Sequence, residues 1–537
     1  MDELLTKNKK LFVTVGVILG VLALWHLYYV KIAIKATGHG FLLNEYGMLA
    51  LGLSMLALCT GIFMICTQRR MEVIWILTVA LLGISAMRVM PGLSAADEPV
   101  HYITSYYWSN KLMMTEADDD AGRVLVRSQD FALEDVNDEI DAYYAGDIDN
   151  TEFFGMEPEE YNYYEVRHWD ELHPAQPGIK ASHIVRTETT PLVYLPQALG
   201  ISLARLTGGN SMRLVTMGKL FNLFAFCVLL YLAVGLMPFG KEIMMASALL
   251  PMTVNLAASM SYDAMLIGCT YLFIAKVMSL AYGESTWIEW KDVAVLGVIL
   301  AVMSPCKMVY CVMAALLLLI PREKFGSTGR LIAIWAICVV CAAGSVLAVN
   351  LTTIGRFASA ESHELIWAGG EPGYTAGYVL HHPLETARLV YDTFMWNGGY
   401  YHQTLIGAYL GNADMSLDVP YVIVMLLTAG LVILPLKKPD DGWQLCKKDK
   451  IVIAAVSIVI FGLLMGSMLI GWTPLSSNVI LGVQGRYLLP LLPVMLLLIR
   501  CRWISTTKDM SRIVLFLMTA CDVFALFRLY SMVCLHI

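Results

Sequence analysis

The sequence predicts an all-α, polytopic integral membrane protein. Three observations carry that expectation. The 537 residues are 58% hydrophobic and only 15% charged, with mean hydropathy +0.63, which is too apolar for a soluble domain. Apolar runs recur along the chain at lengths near the roughly 20 helical residues that cross a 30 Å hydrocarbon core. The acidic residues are confined: half of the 44 Asp and Glu fall between Pro91 and Thr190, which marks that segment as a water-facing insertion.

Each element follows in order. Lys7, Lys9 and Lys10 precede the apolar run Leu11–Val30 in the manner of a signal peptide. That run has full spanning length and no small-residue cleavage site follows, so a retained first span is expected. Further spans are expected at Tyr46–Cys66, Val73–Met90, Leu214–Met237, Ile243–Ala258, Ala264–Tyr282, Val293–Met303 and Val309–Ile320. The series continues with Leu331–Leu351, Val419–Leu436, Ile451–Ile470, Ile480–Ile499 and Ile513–Val533, about thirteen in all. Pro191–Leu206, with Pro191, Pro196 and Arg205, is expected as an interfacial or re-entrant helix. The organisation is then an N-terminal pair of helices in 1–70 and a core in 71–350 with its acidic loop at 91–210. A second loop at 351–418 and C-terminal helices in 419–537 follow.

Basic residues orient this arrangement. Lys7/Lys9/Lys10, Arg69/Arg70, Arg322/Lys324/Arg330, Lys437/Lys438/Lys447/Lys448/Lys450 and Arg500/Arg502/Lys508/Arg512 share one side under this count, which the positive-inside rule makes cytoplasmic. The N-terminus is then cytoplasmic and the acidic loop extracellular. The low basic content of that loop argues against a nucleic-acid partner, leaving the lipid bilayer as the evident one. Twelve cysteines are scattered, mostly in apolar segments, and read as small apolar residues.

Polar chemistry gathers at a few membrane-edge positions. Asp97-Glu98-Pro99-Val100-His101 follows an apolar segment. Pro99 suits the first turn of a helix, which puts Asp97 or Glu98 at its cap, where the helix dipole favours an ionised carboxylate. His101 lies one turn after Asp97 and can share its face. Asp263, Lys307 with Tyr310, and Arg486 with Tyr487 stand near expected membrane boundaries, where an ionisable side chain faces a cavity or a partner. Each has a bland alternative: a solvated cap for Asp97 and Glu98, a structural role for His101, snorkelling for Arg486 and a Lys307–Asp263 ion pair.

Four blocks together resemble a family. Ala96-Asp97-Glu98-Pro99-Val100-His101-Tyr102, Leu250-Pro251-Met252 with Ser259 to Asp263, Cys306-Lys307-Met308-Val309-Tyr310, and Gln484-Gly485-Arg486-Tyr487 with Pro490 resemble the DUF2142 family of bacterial membrane proteins. The resemblance runs roughly from residue 73 to 535 and leaves the first two spans as an addition. That family is similar to the GT-C glycosyltransferases, which implies a GT-C-like core, a bacterial cell-membrane location and a sugar donor carried on polyprenyl phosphate. The acceptor implied is a glycan or glycopolymer of the cell envelope. The implied site has Asp97 as base of an inverting displacement, with Glu98 and His101 beside it. Lys307, Arg486 and Tyr487 would hold the donor phosphate, and Asp263 and Tyr310 are secondary members. The acidic insertion is larger than the family pattern suggests.

Transfer to a hydroxyl needs a positioned base, and a phosphate leaving group needs cationic donors, which these residues supply. No cofactor is demanded, although Glu98 leaves a divalent metal open. The run from Glu116 through Asp118, Asp119 and Asp120 lacks the spacing of an EF-hand. Tyr161 to His173 mixes rings with His168, His173 and acids, as sugar-binding surfaces and interfacial belts both do. Trp396 to His402 could line the acceptor side or form a glycine-containing turn. Two other functions remain at this stage: a transporter or flippase of lipid-linked or envelope precursors, and a non-catalytic partner in polysaccharide assembly. No internal repeat of the kind common in carriers is present.

Overall fold

The computed structural model describes residues 2–67, 71–90, 92–131, 169–172, 174, 176–187, 189–358, 362–411, 417–439, 441–501 and 503–535. The chain opens with α1 (Asp2–Thr37), α2 (Phe41–Cys66) and α3 (Met71–Val89), followed by the shorter α4 (Glu98–Leu112). A small antiparallel two-stranded sheet pairs β1 (Leu125–Arg127) with β2 (Ile179–Ala181). Then come α5 (Leu195–Leu206), α6 (Ser211–Leu236), α7 (Lys241–Ala248), α8 (Pro251–Ala257), α9 (Asp263–Tyr282), α10 (Trp290–Met303) and α11 (Thr328–Ala358). The remainder is α12 (Pro383–Ile406), α13 (Tyr421–Ile433), α14 (Lys447–Trp472) and α15 (Ser511–Val533).

Among the described residues, eight helices are long and apolar enough to cross a membrane: α1, α2, α3, α6, α9, α11, α14 and α15. Five of the thirteen expected spans are shorter or broken, and proline accounts for much of the difference. The expected span at 243–258 divides into α7 and α8 because Pro251 carries no N–H and starts a new helix after an extended Leu250. The segment 485–499 contains Pro490 and Pro493, and forms short 3₁₀ and α turns. Pro305 follows the end of α10, and Met308–Leu319 is a 3₁₀ run. The expected second loop is also different: Gly398 and Gly399 lie inside the 24-residue α12. A Cβ at either glycine would meet nothing within 4 Å, and the helix runs through both without a turn.

The N-terminal pair packs on the last helix. Tyr46 donates to the Ala23 carbonyl at 2.6 Å, and His26 Nδ1 shares a hydrogen bond of 2.8 Å with Ser531. Gly61 lets α2 and α15 touch, since a Cβ there would lie 2.4 Å from the Phe516 ring. Basic side chains bind the ends of several helices into one face. Arg512 donates to the Met64 and Thr67 carbonyls at 3.0 and 2.8 Å, Lys241 pairs with Glu72 at 3.1 Å, and Arg500 pairs with Asp441 at 2.9 Å. The opposite face carries the 92–97 turn, the breaks before α9 and after α10, and the start of 485–491. A satellite core there packs Tyr102, Tyr106, Val126 and Phe131 on Ile201 and Leu214, joining α4 and the small sheet to α5 and α6.

Asp522, midway along α15, is buried with neither carboxyl oxygen hydrogen-bonded among the described residues. It lines a small cavity of about 30 Å³ with Leu82, Ala86 and Leu526. An unpartnered buried polar group costs about 1–3 kcal/mol. Asp522→Leu is therefore expected to raise the thermal unfolding midpoint by a few degrees in detergent; a lower midpoint would show that the carboxyl has a stabilising partner.

Candidate active site

The Asp97 turn is built under strain. Ala95 bridges to Gly411, and Asp97 then takes φ +58°, the left-handed region that a non-glycine residue enters at a cost of about 1–3 kcal/mol. Asp97 occupies the N-cap position of α4, as the Pro99 pattern implies, yet its carboxylate makes no capping bond. It reaches across to Arg486 instead, with Nη2 to Oδ2 at 3.0 Å. The two partners differ sharply in access: the Asp97 side chain is 62% exposed and that of Arg486 is 4% exposed. Arg486 Nε is buried and has no hydrogen-bond partner among the described residues.

Glu98 turns the other way. Its buried carboxylate accepts from the Ala95 amide at 3.0 Å and the Met260 amide at 2.9 Å, and pairs with Lys219 at 2.9 Å. It thus ties the 92–97 turn to the irregular 258–262 segment and to α6, which is a positioning role. Asn222, one turn along α6, donates to the Ser259 and Ser261 carbonyls at 2.8 and 3.0 Å. Irregular backbone persists at this depth because polar side chains satisfy it.

Asp263 and Lys307 form a second ion pair at 3.0 Å. Lys307 Nζ lies 4.2 Å from the Tyr487 ring centroid, and the Arg486 guanidinium carbon lies 5.5 Å from the same ring, both within cation–π range. The Tyr310 hydroxyl donates to the Tyr487 carbonyl and fixes that ring's backbone. His101 Nδ1 shares a hydrogen bond of 2.7 Å with the Tyr194 hydroxyl, and its ring meets Tyr262 edge-on at 5.1 Å. Burial holds the His101 imidazole below its ordinary range; Arg486 and Lys307 add to that, and Asp97 and Asp263 oppose it. The imidazole is therefore neutral at pH 7, as a hydrogen-bonding spacer between the two ion pairs.

Arg486 is placed by a backbone contact. Gly485 packs on α12 so closely that a Cβ would meet the Tyr401 carbonyl oxygen at 1.8 Å, and its amide donates to Thr404 Oγ1 at 2.7 Å. The structure thus gathers Asp97, His101, Asp263, Lys307, Tyr310, Arg486 and Tyr487 at one place, with Glu98 directed behind it.

A family model described as a predicted membrane protein, DUF2142, matches residues 77–495. The chain belongs to the DUF2142 family. The match contains every residue of the constellation and leaves α1, α2 and α15 outside it. No match was found among curated proteins or among solved structures.

Sequence reasoning passed over three DUF2142 site-building residues, Lys219, Tyr194 and Tyr262. Lys219 had a signal, being a lone charge in the apolar 214–237 run, where a cation requires a partner. Pro191–Leu206 forms a 3₁₀ turn and the 12-residue α5, and Arg205 there donates to Asn110 Oδ1 at 2.7 Å. Asp119 accepts from the Ala121 and Arg123 amides, which makes that acidic stretch a turn. Among the described residues no group of three His, Cys, Asp or Glu is arranged to hold a metal ion. Arg69, Arg70, Arg502, Tyr161, Tyr163, Tyr164, His168 and His173 lie outside the described residues.

Two outcomes follow from this geometry. Lys219→Met leaves Glu98 buried and uncompensated and is expected to cost about 3–5 kcal/mol, with much of the loss recovered in the Glu98→Gln/Lys219→Met double variant. Denaturation of the three proteins in one detergent measures this. The second concerns pH: with the folded-state His101 pKa below the ordinary value near 6.5, its contribution is intact above that pH and declines as pH falls through it. Thermal stability of the parent should drop over that window, and His101→Gln should flatten the drop; equal slopes would remove His101 from the account.

Proposed function

We propose that this protein is a membrane glycosyltransferase of the GT-C type, moving a sugar from a polyprenyl-phosphate donor to a cell-envelope glycan on the extracellular face. The observation that carries this reading is the exposed, backbone-strained Asp97 held by a buried Arg486 beside a second ion pair. An exposed carboxylate held by an arginine is fixed in direction, as a positioned general base requires.

In the proposed reaction Asp97 takes the proton of the acceptor hydroxyl as its oxygen bonds to the anomeric carbon. The bond from that carbon to the phosphate oxygen breaks on the opposite side, and its electron pair leaves with the lipid phosphate. Lys307 and the unpaired Nε of Arg486 are the donors offered to that charge, on the Tyr487 ring. Arg486 therefore serves both Asp97 and the leaving group. A single base and a single displacement invert the anomeric centre.

Purified protein in nanodiscs, supplied with a panel of labelled polyprenyl-phosphate sugars and envelope glycans, is expected to show transfer. Asp97→Asn should lower kcat by about 10²–10⁴-fold at similar donor KM. Transfer by Asp97→Asn at the parental rate would remove Asp97 as the base. Absence of turnover across the panel, with saturable transport in liposomes, would establish a carrier instead.

A further inference from the structure

Two tyrosines outside the constellation border the Asp97–Arg486 pair. Ala95, two residues before Asp97, bridges antiparallel to Gly411, and Tyr409 lies two residues before Gly411. Gly485, one residue before Arg486, rests on the Tyr401 carbonyl, and Tyr400 is the preceding residue of α12. The Tyr400 and Tyr409 rings meet edge to face with centroids 5.0 Å apart. The chain thus closes a circuit: each member of the ion pair is tied through backbone to one tyrosine, and the tyrosines touch each other. Their rings form a corner beside the exposed Asp97 carboxylate. Tyr409 is held there at φ +54°, an outlier for a bulky side chain, with its amide donating to the Asp418 carboxylate. Strain of this kind gathers at ligand-holding positions.

The chemistry of the corner defines its guest. Both tyrosines are half-buried, and neither hydroxyl has a hydrogen-bond partner among the described residues. Burial pushes the Tyr400 phenol up to about 12 while Arg486 opposes that rise, so the hydroxyl is a protonated donor within electrostatic reach of the guanidinium. The corner is uncharged and the ion pair beside it is balanced, so net charge draws in neither an anion nor a cation. A hydrocarbon chain would cover two hydroxyls and a carboxylate without bonding any of them. A pyranose meets each demand: its C–H face lies on an aromatic ring, its edge hydroxyls bond the phenols, and one hydroxyl reaches Asp97. We propose that Tyr400 and Tyr409 form an acceptor subsite that stacks an uncharged pyranose with one hydroxyl facing Asp97. The acceptor role rests on the transferase reading; the binding of the pyranose does not.

Saturation-transfer NMR of the full chain in nanodiscs, deuterated except at its tyrosine rings, tests this. The probes are the methyl pyranosides of glucose, galactose, mannose and N-acetylglucosamine, with sorbitol as an open-chain control. At least one pyranoside should receive saturation at its ring C–H protons, and sorbitol should not. Tyr409→Asn removes the ring with a residue that tolerates left-handed φ, and should weaken pyranoside binding about five- to tenfold, while Tyr409→Phe retains it. Asp97→Asn should bind the pyranoside as the parent does, so failure of the transferase reading leaves this result standing. In transfer assays Tyr409→Asn should raise the acceptor KM at constant donor KM; a raised donor KM instead would remove the acceptor assignment. No saturation of any of the four probes, or an unchanged signal in Tyr409→Asn, would overturn the proposal.

Discussion

The buried Glu98–Lys219 pair is the constraint on which the constellation rests. Each charge in such an environment carries a desolvation cost of several kcal/mol, so neither tolerates loss of the other. Glu98 also consumes two orphan amides, one on each side of the gap between the 92–97 turn and the 258–262 segment. Two separate pieces of chain are thereby fixed against one helix. Asp97 is the next residue along, so an inward carboxylate determines where the outward one stands.

The same logic explains why the site lies where helices fail. A continuous α-helix satisfies its own backbone and offers a ligand only side chains. The irregular backbone at 258–262 and at Gly485 leaves groups that must find partners, and Asn222, Glu98 and Thr404 provide them. Two opposite ion pairs can then sit side by side around a neutral histidine. Their net charge nearly cancels, which lets four ionisable groups share a small volume at a membrane boundary.

Helix identity was legible in the sequence wherever an apolar run was long and free of proline, as at α2, α9, α14 and α15. Segments such as 243–258 and 480–499 carry the same hydropathy with internal prolines, so composition suggested spans while backbone chemistry produced breaks. The positions of Asp97, Lys307 and Arg486 were legible because charge beside an apolar run stands out. Their pairing was less so: Arg486 meets a carboxylate 389 residues away, a separation no local pattern encodes. Adjacent Asp97 and Glu98 look alike in sequence, and only the fold turns one to solvent and the other to Lys219. The glycine-containing helix α12 escaped because Gly398 and Gly399 read locally as a turn, whereas the helix runs through both.

The contact of Gly485 with the Tyr401 carbonyl carries a mechanical consequence. Most contacts between segments pass through side chains, whose rotamers absorb small shifts like a compliant washer. Here backbone lies on backbone and a hydrogen bond to Thr404 clamps the joint. Arg486, one residue on, inherits the position of α12 with almost no slack. The arginine and the long helix thus behave as parts of one rigid arm, and the alignment of the Asp97 carboxylate is set partly by residues whose side chains never touch it.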